Sequence, residues 1–344
     1  MNGAQWETLM KVIQGENLRE KPVGFVIDSP WLPGWNKASV LDYFADAGIW
    51  FETNVKAINE FPEVMFLPGF WSEFGMCTEP SAFGSKLVWS EVNHPHPAKI
   101  LNDYSAFANL SKPNVATDGL LPLTLKRLVI YEDRIRALGH QVKFAVSRGP
   151  MNIASFLYGT TELMIALAMA PDEVSKGLCT ITDFMTDWIG LQMETLKDID
   201  GILILDDIIG FLGDSDFKNF VLPCMKKIFG SFDVKVKFLH NDASGLVCAP
   251  YLNEMGVNLF NYSFNHSIAE MKRLTENKVT LLGNLPPRDV LAEGTEYDVR
   301  KGVKKMMDSV KDHSRIIWSC GGGMPPDVST KNINAFISAI KENS

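Results

Sequence analysis

His240 and Asp242, separated by Asn241, end an apolar run and are two residue types that bind metal ions. The run before them, 234–239 (V-K-V-K-F-L), alternates charged and apolar residues, which is the pattern of a strand with a buried face. A strand that stops on a histidine and a carboxylate, and is then broken by Ser244-Gly245, places a nitrogen and an oxygen donor at one sheet edge. Cys320, just past a second apolar run at 315–318, adds a thiolate. One imidazole, one carboxylate and one thiolate make the three-ligand set of a catalytic zinc site with a fourth position open. The same residues also suit a hydrogen-bonded core histidine, a loop-capping aspartate and a small buried cysteine. A single His-x-Asp pair does not separate these readings.

Asp206 and Asp207 follow the continuous apolar run G-I-L-I-L at 201–205, so at least one of them is expected at the polar end of a buried strand. There it could serve as a general acid or base, accept a hydrogen bond from a substrate, or orient a metal ligand. A turn or cap role before Gly210 fits equally well. The loop 70–84 (F-W-S-E-F-G-M-C-T-E-P-S-A-F-G) mixes Trp71, Phe74 and Met76 with Glu73 and Glu79. Apolar walls with a few polar groups suit a small organic substrate. Packing explains the aromatics but not the glutamates, so Glu73 joins Asp206 and Asp207 as a candidate catalytic acid. Arg148, Asn284 and Trp318, near the ends of other apolar runs, join Trp71, Phe74 and Met76 as candidate substrate contacts. Gly321–Gly323 lacks both the lysine of a phosphate-binding loop and the spacing of a dinucleotide fingerprint. It reads as a tight turn close to a bulky ligand.

Bringing such residues together requires a scaffold. Short apolar runs at 22–30, 64–71, 141–147, 201–205, 234–239, 257–262, 279–282 and 315–318 are separated mostly by helical patterns. An amphipathic helix over 4–20 precedes them, a helix is expected over 246–255, and another over 296–311. Eight buried strands with helical crossovers predict an α/β fold, a closed (β/α)8 TIM barrel with extra N-terminal helices. Active sites in that fold lie at the C-terminal strand ends, which here carry Asp28, Glu73, Arg148, Asp206, Asp207, His240, Asp242, Asn284 and Cys320.

Composition agrees with this reading. The 344 residues are 46% hydrophobic and 22% charged, enough for one full core, and a single domain over 1–344 is expected. A net charge of −8 with no dense basic block argues against a nucleic-acid surface. No apolar run approaches the roughly 20 residues of a membrane span, and no secretory leader is evident. Five scattered cysteines fit a reducing compartment, so a cytoplasmic protein is expected, possibly a homodimer.

Several segments together resemble the uroporphyrinogen decarboxylase superfamily. They are G-P-M-N-I-A-S-F-L-Y-G (149–159), D-D-I-I-G (206–210), F-K-N-F-V-L-P (217–223), H-N-D (240–242), L-L-G-N-L-P-P (281–287) and S-C-G-G-G-M-P-P (319–326). The resemblance implies the (β/α)8 barrel independently of the strand count. True decarboxylases carry an arginine-rich N-terminal segment that holds the tetrapyrrole carboxylates. The matching stretch here, S-P-W-L-P-G-W-N-K (29–37), has no arginine, and a polycarboxylate substrate is poorly held without guanidinium forks.

The chain is more similar to the other branch, the cobamide-dependent methyltransferases. Their thiol-methylating members bind zinc through His-x-Cys and a distant Cys. Position by position this implies His240 and Cys320 as ligands, with Asp242 replacing the middle cysteine. A carboxylate in place of a thiolate makes a harder Lewis acid, suited to oxygen. The loop 71–84 looks like that of O-demethylase methyltransferases of anaerobic one-carbon metabolism. The expected reaction is therefore methyl transfer from a small methoxylated, aromatic compound to Co(I) of a separate corrinoid protein. The chain has no D-x-H-x-x-G segment, so the cobamide is expected on that partner. Two alternatives are a methylcorrinoid-protein:thiol methyltransferase, acting on coenzyme M or homocysteine, and a non-catalytic ligand-binding barrel.

Overall fold

The computed structural model describes residues 1–91 and 93–344. Eight parallel strands form the barrel: β1 (Gly24–Val26), β2 (Met65–Leu67), β3 (Phe144–Arg148), β4 (Gly201–Leu205), β5 (Val236–Asn241), β6 (Leu259–Tyr262), β7 (Thr280–Leu285) and β8 (Ile316–Cys320). All eight lie within or overlap the apolar runs read from the sequence. Strands β3 to β8 make one ladder in chain order, and β1 pairs with β2. A parallel bridge between Val23 and Trp318, with the Trp318 N–H donating to the Pro22 carbonyl at 2.9 Å, joins β1 to β8.

The strand alternation divides two apolar sets. Val26, Leu67, Val146, Leu205, Phe238, Leu259, Leu282 and Ile317 pack in the lumen. Their neighbours Phe25, Phe66, Ala145, Ile204, Leu239, Phe260, Leu281 and Ile316 face the surrounding helices. Because the side-chain period of a strand is two, five of these eight inward sets continue into Asp28, Arg148, Asp207, His240 and Ser319. The lumen is therefore apolar at its base and ionisable at its C-terminal end.

The helices used below are α1 (Gly3–Gln14), α2 (Ala47–Glu60), α3 (Thr78–Ala82), α4 (Leu121–Ala137), α5 (Pro150–Tyr158), α6 (Pro171–Thr195), α7 (Leu222–Gly230), α8 (Glu296–Asp308) and α9 (Thr330–Glu342). Helix α1 is the extra N-terminal helix. Asn2 and Gln5 close a capping box at its start, and Gly15, at φ +93°, ends it five residues before the expected limit. Its Leu9 and Val12 pack with the lumen set and floor the barrel. Asp46 leaves the α region, at φ −105° and ψ 110°, and its side chain caps α2 by accepting from Gly48 and Ile49 N–H. The helix expected over 246–255 reduces to a short 3₁₀ turn at Ala249–Tyr251. No described helix is long and apolar enough to cross a membrane.

One side of the barrel wall lacks a strand ladder. Among the described residues no strand pairing joins β2 to β3. Side chains replace it: the Gln192 amide of α6 accepts from Val146 N–H and donates to the Val146 carbonyl, both at 3.0 Å. Glu79 of α3 accepts from Arg148 N–H at 3.0 Å. These contacts satisfy strand groups that would otherwise be buried and unpaired.

Candidate active site at the barrel mouth

Asp207, His240 and Asp242 each present one ligand atom, and these atoms lie within 4.8 Å of one another. His240, on β5, is 5% exposed, and its Nδ1 lies 2.7 Å from Oδ1 of Asn261 on β6. The Asn261 amide nitrogen donates to the Leu282 carbonyl, so Oδ1 is left to accept. Nδ1 therefore carries the hydrogen, and Nε2 presents its lone pair to Asp207 Oδ1 at 3.7 Å and Asp242 Oδ2 at 4.0 Å. These separations are too long for an imidazolium hydrogen bond. They approach the ~3.3–3.4 Å between neighbouring ligand atoms around a tetrahedral zinc with bonds of about 2.0–2.1 Å. A cation held among them would satisfy the lone pair and both carboxylates. One imidazole and two carboxylates fit zinc with an open position, and Asn261 is the outer partner that orients the histidine.

Asp207 holds this geometry in a second way, because its Oδ1 accepts from Asp242 N–H at 3.0 Å. Asp206 has a different place. It continues the outward set of β4, is fully buried, and accepts from Met151 N–H at 2.9 Å and Asn152 N–H at 3.1 Å. It thus caps the N-terminus of α5 from a neighbouring strand. Gly149 leaves the room, since a Cβ there would lie 2.2 Å from Asp206 Oδ2. The carboxylate assigned from sequence as a possible catalytic acid is committed to a helix end.

Cys320 also departs from expectation. It shares with Ile316 and Trp318 the cluster between barrel and helices, and it is fully buried. Its thiol lies 3.7 Å from the Gly322 carbonyl, and burial pushes it up to about 12. It stays outside the three-residue ligand group, where Asp207 takes its part. Trp318, on the same outward register, packs edge-to-face against His313 at 5.1 Å rather than lining the lumen.

The remaining candidates divide between lumen and periphery. Trp71 packs against the lumen set, and the Arg148 guanidinium lies 5.6 Å from its ring centroid. Phe74 stacks on Phe44 at 5.9 Å and lines an apolar cleft of about 580 Å³ with Trp89, Leu123 and Ile130. Met76 is half-buried on the same loop and bridged to Phe74. Asn284 donates its amide to the His266 carbonyl. Glu73 is buried, and its Oε1 accepts weakly from Ser29 N–H at 3.4 Å.

Two further candidates carry no specific role from sequence, although Asp28 is expected at a strand end of the barrel mouth. Asp28, at the end of β1, is pushed up to about 8, first by burial and then by Glu73, with Arg148 pulling the other way. It is thus a carboxyl that holds its proton near neutrality, the property of a general acid. Asn261 had a weak signal: a polar residue inside the apolar strand L-F-N-Y.

Three similarities bear on this site. A family model described as uroporphyrinogen decarboxylase (URO-D) matches residues 6–343. The uroporphyrinogen decarboxylase of Chloroherpeton thalassium is 28% identical over 184 residues, 51% of this chain and 50% of that protein, so the match spans about half of that relative's length. The uroporphyrinogen decarboxylase of Dichelobacter nodosus is 23% identical over 274 residues, covering 78% of this chain and 76% of its own. Among solved structures, a methyltransferase from Methanosarcina mazei superposes with a TM-score of 0.80 at 17% identity, covering 97% of both chains. At that identity the likeness is one of fold.

Proposed function

Since this chain belongs to the uroporphyrinogen decarboxylase family, we propose that within it the protein is a methyltransferase, moving a methyl group from a small methoxylated aromatic compound to Co(I) of a separate corrinoid protein. The observation that carries the reading is the oxygen-rich donor set Asp207–His240–Asp242. Zinc held there would supply a Lewis acid matched to an ether oxygen rather than to a thiol. The charge of the lumen supports the same choice. One guanidinium, Arg148, is set among Asp28, Asp207 and Asp242, each a carboxyl that interacts with it or with its neighbours. A substrate bearing many carboxylates would meet net repulsion there, whereas a neutral ether would not.

The chain's own groups account for binding and proton supply. The Arg148 guanidinium lies over the Trp71 ring, and the pair offers an aromatic substrate stacking and cation–π partners. As the methyl carbon is attacked, its bond to oxygen breaks and the oxygen keeps the bonding pair. Asp28, protonated near neutral pH, gives that oxygen its proton, and Glu73 beside it takes part in resupply. Asn261 holds the imidazole of His240 in one tautomer throughout, with Nε2 turned toward Asp207.

The test is incubation of the protein with a corrinoid protein reduced to Co(I) and a panel of methoxylated aromatics, following methyl-cobalt absorption. Methyl-cobalt formation with at least one donor is expected. Its absence with every donor sinks the reading, and thiol-dependent loss of a preformed methyl-cobalt band would assign the reverse, thiol-methylating reaction instead.

A further inference from the structure

The unladdered seam between β2 and β3 contains a small cavity of about 10 Å³. That is room for a single water, whose centre needs on the order of 10–15 Å³. Ser72, Glu73 and Glu79 line one side, and Trp188 of α6 lines the other. On these walls Ser72 Oγ, Glu73 Oε2, Glu79 Oε2 and Trp188 Nε1 are buried without a hydrogen-bond partner. The four side chains are 2%, 5%, 4% and 1% exposed. Four unpaired buried polar atoms around one small void call for an occupant.

The chemistry of the four atoms selects it. The carboxylate oxygens accept, the indole N–H only donates, and the hydroxyl does either. A water meets this set completely when one carboxyl is protonated: its oxygen accepts from the Glu79 carboxyl and from Trp188 N–H, and its hydrogens go to Glu73 and Ser72. A cation does not, because the indole N–H would point at it. Two carboxyl groups sharing one water favour a single negative charge between them. Burial pushes the Glu79 carboxyl up, against the pull of Arg148 and of the Arg148 N–H. The groups around it are Arg148 on β3, with Cys77 and Glu73 on its own loop. Helices α4 and α6 present Thr124, Trp188 and Gln192 to the cavity, none of which titrates, and α4 also sets the buried Arg127 guanidinium near Glu73. The titratable residue of α5, Tyr158, stacks on Phe107 at 5.7 Å.

We propose that the seam is a one-water proton store, in which Glu79 holds a proton that passes through the bound water to Glu73 and on to the lumen. The transfer conserves charge: Glu79 gives its proton to the water, and the water gives one of its own to the Glu73 carboxylate. Glu73 then protonates the departing oxygen or reloads Asp28, and Glu79 regains a proton from solvent by the reverse path after product leaves. Delivery to a departing oxygen rests on the methyl-transfer reading. The water and the stored proton do not.

Infrared spectroscopy of the full chain at pH 7 tests the store. In the difference between the wild-type and Glu79→Gln spectra, where the Asp28 band cancels, one protonated-carboxyl band that shifts in D₂O is expected, and the amide oxygen of the variant can still accept from Arg148 N–H. A crystal structure is expected to show one water against all four atoms, and Trp188→Phe to lose or loosen it. An empty cavity overturns the water site. Identical protonated-carboxyl bands in the two spectra overturn the proton store. In single turnover with a methoxylated donor, Glu79→Gln should lower the rate about 10-fold or more at unchanged KM and alter the pH profile. Failure of the wild type to transfer methyl at all counts against the methyl-transfer reading, and the infrared and crystallographic results then decide the store alone.

Discussion

Asp206 and Asp207 are adjacent in sequence and serve opposite sides of the barrel wall. Asp206 accepts two backbone N–H groups at the start of α5, whereas Asp207 lies 3.7 Å from Nε2 of His240. Strand alternation from Leu205 explains the split, because only every second residue can face the lumen. The two aspartates should therefore fail differently. Asp206→Ala removes a helix cap and strands buried N–H groups, at a cost of about 1–3 kcal/mol. Asp207→Asn should melt near the wild type yet bind zinc at least ~10-fold more weakly. Thermal melts beside zinc titrations check both, and a large melting loss in Asp207→Asn would contradict the assignment.

Asn261 fixes the tautomer of His240, so its replacement should act on the metal without touching it. Asn261→Leu cannot accept from Nδ1–H and is expected to weaken zinc binding by about 10–100-fold. Asn261→Asp still accepts there and should retain most of the affinity. Competition against a chromogenic chelator measures the difference. Equal affinities in the two variants would show that the 2.7 Å contact does not orient the ring.

Cys320 supplies a direct comparison between the two ligand sets. If Asp207, His240 and Asp242 hold the metal, Cys320→Ala keeps one equivalent of zinc with affinity within about twofold, since the thiol lies on the helix side of β8. Loss of the metal in Cys320→Ala would restore the set expected from sequence, with the 319–323 turn rearranging on binding.

Much of the barrel was legible because buried parallel strands read as short apolar runs, and all eight runs became strands. The site was legible only to the level of strand ends. A run such as G-I-L-I-L shows that it is buried on both faces, but does not show which of Asp206 and Asp207 continues the lumen side. The register does, through the pairing of Leu205 with His240. Cys320 and Trp318 lie off the lumen for the same reason, being one residue out of phase with Ile317 and Ser319. The seam between β2 and β3 left no local trace, because Gln192 and Glu79 reach it from helices far along the chain.

Asp28 sets a pH dependence whose sign can be worked out. Its carboxyl rises from an ordinary 3.8 to about 8 in the folded chain, so the folded state binds a proton that the unfolded chain releases. The stability this contributes is full below about 4 and is lost as pH rises toward 8, with a limiting slope of about 1.4 kcal/mol per pH unit for one group. Asp28→Asn cannot ionise and escapes that loss. Its melting temperature should exceed that of the wild type at pH 8.5 and match it near pH 4. If Asp28 also protonates the leaving oxygen, the variant loses the high-pH limb of the methyl-transfer rate. A wild-type melt that does not decline from pH 6 to pH 8.5 relative to Asp28→Asn would count against a protonated Asp28.

Gly322 ties the glycine run after β8 to the metal site. Its φ of +84° disfavours any side chain, and a Cβ there would lie 2.8 Å from the Asp242 Cβ. Gly323 differs, since a Cβ on it would meet nothing within 4 Å. Gly322→Ala must therefore push Asp242 away from His240 or twist the turn, and both moves disturb the 4.0 Å separation between Asp242 Oδ2 and Nε2. The expected result is a stability loss of about 1–2 kcal/mol from the left-handed backbone, with zinc binding weakened about 10-fold or more through the displaced ligand. Gly323→Ala should stay within about 0.5 kcal/mol of the wild type, with its zinc affinity unchanged. Zinc titration of the two variants side by side makes the comparison. If Gly322→Ala lost stability but kept full zinc affinity, Asp242 would not be a ligand, and the centre would reduce to Asp207 and His240.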